Sequence, residues 1–141
     1  RHDHAAHNQQ RRGKPEAVAG LGIIARQAAE PDEISFEVET LEDVRRYWKH
    51  FSENGTPILQ TKNHGNAWSV YVADPEGNRL EIYAHSPWAT VQPVGAPIDY
   101  SKPVEELMIE TEALARSAPG FMMRDEWMAK VESELRSLGR G

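Results

Sequence analysis

The sequence contains no cysteine. That absence removes disulfides, thiolate zinc sites and cysteine nucleophiles together, so any metal must be held by His, Asp or Glu. It is compatible with a reducing compartment, and a cytoplasmic location is expected. Positive charge is also scarce: 16 Lys and Arg stand against 22 Asp and Glu, a net charge of −6. The basic residues are scattered, and the one compact group, Arg11, Arg12 and Lys14, is short. No stripe exists to neutralise phosphates, so nucleic acid is not an expected partner. Long hydrophobic runs are missing too. No stretch reaches the length needed to span a bilayer, which leaves no membrane partner to expect.

What remains is a chain of 141 residues, 39% hydrophobic, sized for one core or for two small repeats sharing one. Residues 1–31 are polar and Ala-rich, with His2, His4 and His7 at the front. His2 and His4 would share one face of a strand, which invites a metal reading beside that of a frayed terminus. The apolar piece "AVAGLGIIA" (17–25) fits a strand or a short helix.

From residue 32 the pattern sharpens. "DEISFEVE" (32–39) alternates, with Ile34, Phe36 and Val38 on one face and Glu33, Ser35 and Glu37 on the other. That is a half-buried strand. "TLED" then reads as a capping box opened by Thr40. The helix behind it carries Leu41, Val44, Trp48 and Phe51 as one stripe. Asn54-Gly55 supplies the left-handed stop. "PILQT" (57–61) and "AWSVYVA" (67–73) are strands separated by a turn at 62–66, and "DPEGN" (74–78) is a second turn leading into the strand "RLEIYA" (79–84). The order is βαβββ. After a Pro/Gly-rich connector, two amphipathic helices are expected. The first carries Val104, Leu107, Met108, Thr111, Leu114 and Ala115. The second carries Trp127, Val131, Leu135 and Leu138.

Glu81 interrupts the last strand between Leu80 and Ile82. Counting back through the turn at 74–78 sets Tyr71 opposite Glu81. The two then share a face with Glu33, Ser35, Glu37, Ser69 and Tyr83, while Trp68, Val70, Val72, Leu80 and Ile82 take the covered face. A sheet face this rich in carboxylates and hydroxyls suits either bulk solvent or a lined cavity. Oxygen donors of that kind suit divalent cations such as Fe²⁺ or Mn²⁺.

The module ending in "WSVYVADPEGNRLEIY" resembles the vicinal oxygen chelate superfamily, which contains glyoxalases, bleomycin resistance proteins and type I extradiol dioxygenases. "NHGNAWSVYVADPEGNRLEIYAHSPW" is most similar to the ring-cleaving dioxygenase branch. The resemblance implies an α+β fold: a βαβββ module (32–92) forming a half-cup sheet, preceded by a partial first module and linker (1–31) and followed by a helical extension (93–141). It implies Glu81 as a metal ligand, with Tyr71 hydrogen-bonding the substrate. His64 matches the histidine near the substrate oxygen, although its spacing to Tyr71 is short for the branch. Fe²⁺ or Mn²⁺ is the implied cofactor, and a catechol-like aromatic diol and O₂ are the implied reactants. The first-strand ligand of the family is a His, whereas this chain has Glu33, a second candidate ligand. Too few residues precede the module to form another, so the chain reads as truncated inside it or as completed by a second copy. A homodimer is expected. Two rival functions stay open: a glyoxalase- or epimerase-like metalloenzyme, and a small-molecule binder of the bleomycin-resistance kind.

Overall fold

A computed structural model describes residues 25–30 and 33–139 of the chain. Strand β1 (Ala25–Glu30) runs antiparallel to β2 (Glu33–Glu37), the alternating stretch of the sequence. Ile34 and Phe36 of β2 point into the core. The strand is shorter than the alternation, because the chain bends at Glu39 to enter helix α1 (Leu41–Glu53). Thr40 caps that helix as its sequence predicts. Its Oγ1 accepts from the Asp43 amide at 3.1 Å, and the Asp43 carboxylate accepts from the Thr40 amide at 3.2 Å. Removing this reciprocal cap with Thr40→Ala is expected to lower stability by about 1 kcal/mol. The check is a lower urea midpoint at an unchanged slope.

The stripe of α1 is broader than the four residues predicted. Leu41, Val44 and Tyr47 are buried, while Trp48 and Phe51 pack only partly against the core. A helix lying on a sheet covers more than one file of residues, so Tyr47 and Trp48 straddle the contact line. Gly55, with φ of +69°, follows the helix as the left-handed turn residue.

Strands β3 (Ile58–Asn63), β4 (Ala67–Ala73) and β5 (Arg79–His85) form the expected meander. The first turn is tighter than 62–66, because β3 continues through Lys62 and Asn63 to pair with β4. In the second turn Asp74 accepts from the amides of Glu76 and Asn78 at 2.9 and 2.8 Å and from the Asn78 side chain at 2.9 Å. These bonds fix the register of β4 against β5.

The connector holds β6 (Trp88–Ala89) and β7 (Ala96–Pro97), and helices α2 (Val104–Ser117) and α3 (Arg124–Gly139) follow, with β8 (Met122–Met123) between them. The main sheet runs β1-β2-β5-β4-β3-β7, and β6 pairs with β8 apart from it. Among the described strands only β2 and β5 run parallel, since the chain crosses over through α1, β3 and β4 between them. One apolar cluster joins Phe36, Val70 and Ile82 of the sheet to Val44 and Tyr47 of α1, and extends to Ile98, Tyr100 and Leu107 beyond the module. Among the described residues no helix is long and apolar enough to cross a membrane.

Candidate ligand site on the polar face of the sheet

Strand register gathers the site. Ser35 lies beside Glu81 across the parallel β2–β5 pair, and Tyr71 lies opposite Glu81 across β4–β5, the pairing that the turn count predicts. Ser69, two residues before Tyr71, shares the face. Ser35 donates to one Glu81 oxygen at 2.6 Å, and Ser69 donates to the other at 2.6 Å. Both serines are buried, at 3% and 0% exposure, whereas Glu81 is half-buried. Two short charge-assisted bonds from beneath hold the carboxylate in one orientation. Glu81 therefore points onto the polar face with its plane fixed.

His64 enters from the β3–β4 turn, where its amide donates to the Ala67 carbonyl at 2.9 Å. Its Nδ1 is 3.1 Å from the Val94 carbonyl and its Nε2 is 3.2 Å from the Tyr71 hydroxyl. A carbonyl can only accept, so Nδ1 carries the ring proton and Nε2 accepts from Tyr71. The turn itself is pinned by Asn63, which accepts from the Gly65 amide at 2.9 Å.

The titration behaviour follows from these surroundings. Burial lowers the His64 pKa below its ordinary 6.5, outweighing the Val94 carbonyl and the Glu81 charge, which act the other way. Burial, followed by the charge of Glu81, pushes the Tyr71 hydroxyl well above its ordinary 10.0. Tyr71 is thus a proton donor over the whole neutral range, and His64 is a neutral acceptor. Beyond the site, burial and then the charge of Glu37 push the Tyr83 hydroxyl up to about 12. The Tyr83 hydroxyl donates to Glu37 at 3.3 Å, and His85 Nε2 is 3.6 Å from the same carboxylate. Burial also lowers His85.

Two histidines held neutral make stability depend on pH. Between each lowered pKa and 6.5 the unfolded chain binds more protons than the folded one, so stability rises with pH across that window. Their contribution is complete above 6.5 and is lost as pH falls below it. Urea midpoints measured from pH 8 to pH 5 are expected to fall on the acid side, and His64→Gln is expected to flatten the fall.

Glu33 is the first residue of β2. It pairs in register with Arg79, and its carboxylate is 3.7 Å from the Arg79 guanidinium. Ser35 takes the place beside Glu81 because the parallel register sets residue 35, not 33, against residue 81. Arg79 also lies over the Tyr71 ring at 4.3 Å and donates to Gln60 at 3.1 Å, tying β2, β3, β4 and β5 together. Sequence reasoning assigns no role to Ser35, Ser69, the Val94 carbonyl or Arg79. The serines are readable in principle, since both sit on the polar face next to a carboxylate. Val94 is not, because it comes from an irregular connector.

Among the described residues no group of three or more His, Asp or Glu side chains can hold a metal ion. The Glu81 oxygens already accept serine hydroxyls, and Nε2 of His64 accepts from Tyr71. Fe²⁺ and Mn²⁺ need several such donors converging on one point. The described donor set does not supply that many for either ion. His2, His4 and His7 lie outside the described residues.

Comparison with known proteins adds the family. The sequence model of the Glyoxalase/Bleomycin resistance protein/Dioxygenase superfamily matches residues 3–82, reaching further toward the start of the chain than the motif itself. No curated protein matches. Among solved structures, an NAD-dependent benzaldehyde dehydrogenase from Legionella pneumophila aligns over 58% of this chain and 90% of its own. At 18% identity and a TM-score of 0.37, that likeness carries no argument.

Proposed function

Because the chain belongs to the Glyoxalase/Bleomycin resistance protein/Dioxygenase superfamily, we propose that its polar sheet face binds a small catechol-like aromatic diol. The observation that carries this reading is the alignment of an anchored carboxylate, a tyrosine that keeps its proton and a neutral histidine. Glu81, held from below by Ser35 and Ser69, accepts a hydrogen bond from one ligand hydroxyl. Tyr71 turns its hydroxyl from His64 to the second ligand oxygen and donates to it. His64 Nε2, thereby freed, accepts a hydrogen bond from this same ligand hydroxyl, while the Val94 carbonyl keeps the ring oriented. Adjacent hydroxyls suit this face because one meets an acceptor and the other a donor–acceptor pair.

Calorimetric titration with catechol and with its monomethyl ether tests the reading. Catechol is expected to bind at least about tenfold more tightly, since the ether leaves a polar partner unsatisfied. Equal affinities would remove the diol from the account.

The finer reading, ring cleavage by a dioxygenase of the extradiol type, is favoured by the position of Glu81 on the last strand of the module. It requires metal ligands beyond the described residues. Elemental analysis of anaerobically purified protein, followed by an oxygen-electrode assay with catechol, separates the cases. Iron or manganese with oxygen uptake supports ring cleavage. Catechol binding without oxygen uptake leaves a binding protein.

A further inference from the structure

The carbonyl that orients the His64 ring comes from irregular chain. Residues 90–95, between β6 and β7, belong to no strand. The Val91 amide is tied to the Pro119 carbonyl at 2.9 Å, just past the end of α2. The Val94 amide is held differently, by the side-chain oxygen of Gln92 at 3.0 Å. The same side chain donates from Nε2 to the His64 carbonyl at 3.1 Å and to the Thr90 hydroxyl at 2.8 Å. An amide N–H can only donate and a carbonyl can only accept, so the Gln92 amide has one orientation that serves both. Gln92 thus joins the residue that carries the ring to the residue that holds it.

We propose that Gln92 is the positioning residue of the site: it clamps the Val94 peptide to the His64 backbone, keeps the ring proton on Nδ1 and so leaves Nε2 as an acceptor. The inference rests on the reading of His64 as an acceptor for a ligand hydroxyl. Few side chains could replace Gln92. Glutamate cannot donate to the His64 carbonyl, asparagine is one methylene short, and an apolar residue makes none of the three bonds. Without the clamp the Val94 carbonyl is free to swing away from Nδ1, and the ring proton can then sit on either nitrogen. A ring protonated on Nε2 cannot accept from Tyr71. A diol oxygen placed between Tyr71 and His64 would then meet two donors in place of a donor–acceptor pair.

Nitrogen-15 NMR of the parent and of Gln92→Met at pH 8, where the ring is uncharged, is the test. The His64 signals are assigned by their absence in His64→Gln. In a neutral imidazole the protonated and the bare nitrogen resonate far apart, and exchange between tautomers draws them together. The parent is expected to show a separated pair with the proton on Nδ1, and Gln92→Met a pair drawn together. Calorimetry should find catechol bound about 3- to 10-fold more weakly by Gln92→Met, the equivalent of about one hydrogen bond. The urea midpoint should barely move, because Gln92 is exposed, and a merely structural role would not change the tautomer. A His64 pair as widely separated in Gln92→Met as in the parent would overturn the proposal, and so would a pair drawn together at unchanged affinity. If catechol bound neither protein, the diol reading would fall, and the NMR comparison would still decide whether Gln92 positions His64.

Discussion

Replacing Thr111 with valine is expected to lower stability by about 2–4 kcal/mol, although the two side chains have almost the same shape. Thr111 sits fully buried on α2 and serves three partners at once. Its hydroxyl accepts from the Trp68 indole at 2.7 Å and from the Asn63 side chain at 2.9 Å, and donates to the Leu107 carbonyl at 2.7 Å. Valine fills the space and leaves two buried N–H donors without an acceptor, each costing about 1–3 kcal/mol. The effect should reach the site as well, because Asn63 is the residue that pins the turn carrying His64. Urea unfolding of Thr111→Val and Thr111→Ser checks this directly. The serine variant keeps the hydroxyl and should lose much less. A Thr111→Val variant as stable as the parent, with the loss confined to Thr111→Ser, would mean that the methyl group, and not the polar hub, is what matters there.

Glu81→Gln is expected to weaken catechol binding by about 10- to 100-fold, since a charge-assisted hydrogen bond is worth about 1.5–3 kcal/mol. The substitution keeps the size of the side chain. Ser35 and Ser69 can rotate their hydroxyls to meet an amide, so the urea midpoint should move little. What disappears is the negative charge that receives the ligand hydroxyl. Loss of binding at nearly unchanged stability is the signature of a residue kept for its ligand rather than for the fold. Calorimetry on folded Glu81→Gln supplies the number, and an affinity matching that of the parent would reduce Glu81 to a structural carboxylate.

Much of this architecture is legible in the amino-acid sequence. The alternation at Ile34, Phe36 and Val38 and the "TLED" cap locate β2 and α1, and "DPEGN" fixes the turn that sets Tyr71 against Glu81. These are local signals: a period of two, a side chain closing on an amide three residues away, an Asp that organises its own turn. Tyr47 escapes the stripe because a helix on a sheet buries two files of residues, and linear spacing selects one of them. That Ser35 is the neighbour of Glu81 is hidden for a different reason. Its position relative to Glu81 depends on the register of a parallel pair, which joins residues 46 apart in sequence and leaves no local trace, as the Ser35–Glu81 bond shows. The contact from Val94 to His64 likewise spans 30 residues of irregular chain. Side chains on the polar face can be named from the sequence. Which of them touch cannot.

Nitrogen-15 NMR of the histidine side chains, recorded before and after saturation with catechol, tests the central claim most directly. The account predicts that His64 in the free protein is neutral with its proton on Nδ1. Catechol should shift its Nε2 resonance, and the shift should be absent in Glu81→Gln at the same concentration. A His64 resonance that stays in place while catechol binds would put the ligand elsewhere on the protein and contradict the account.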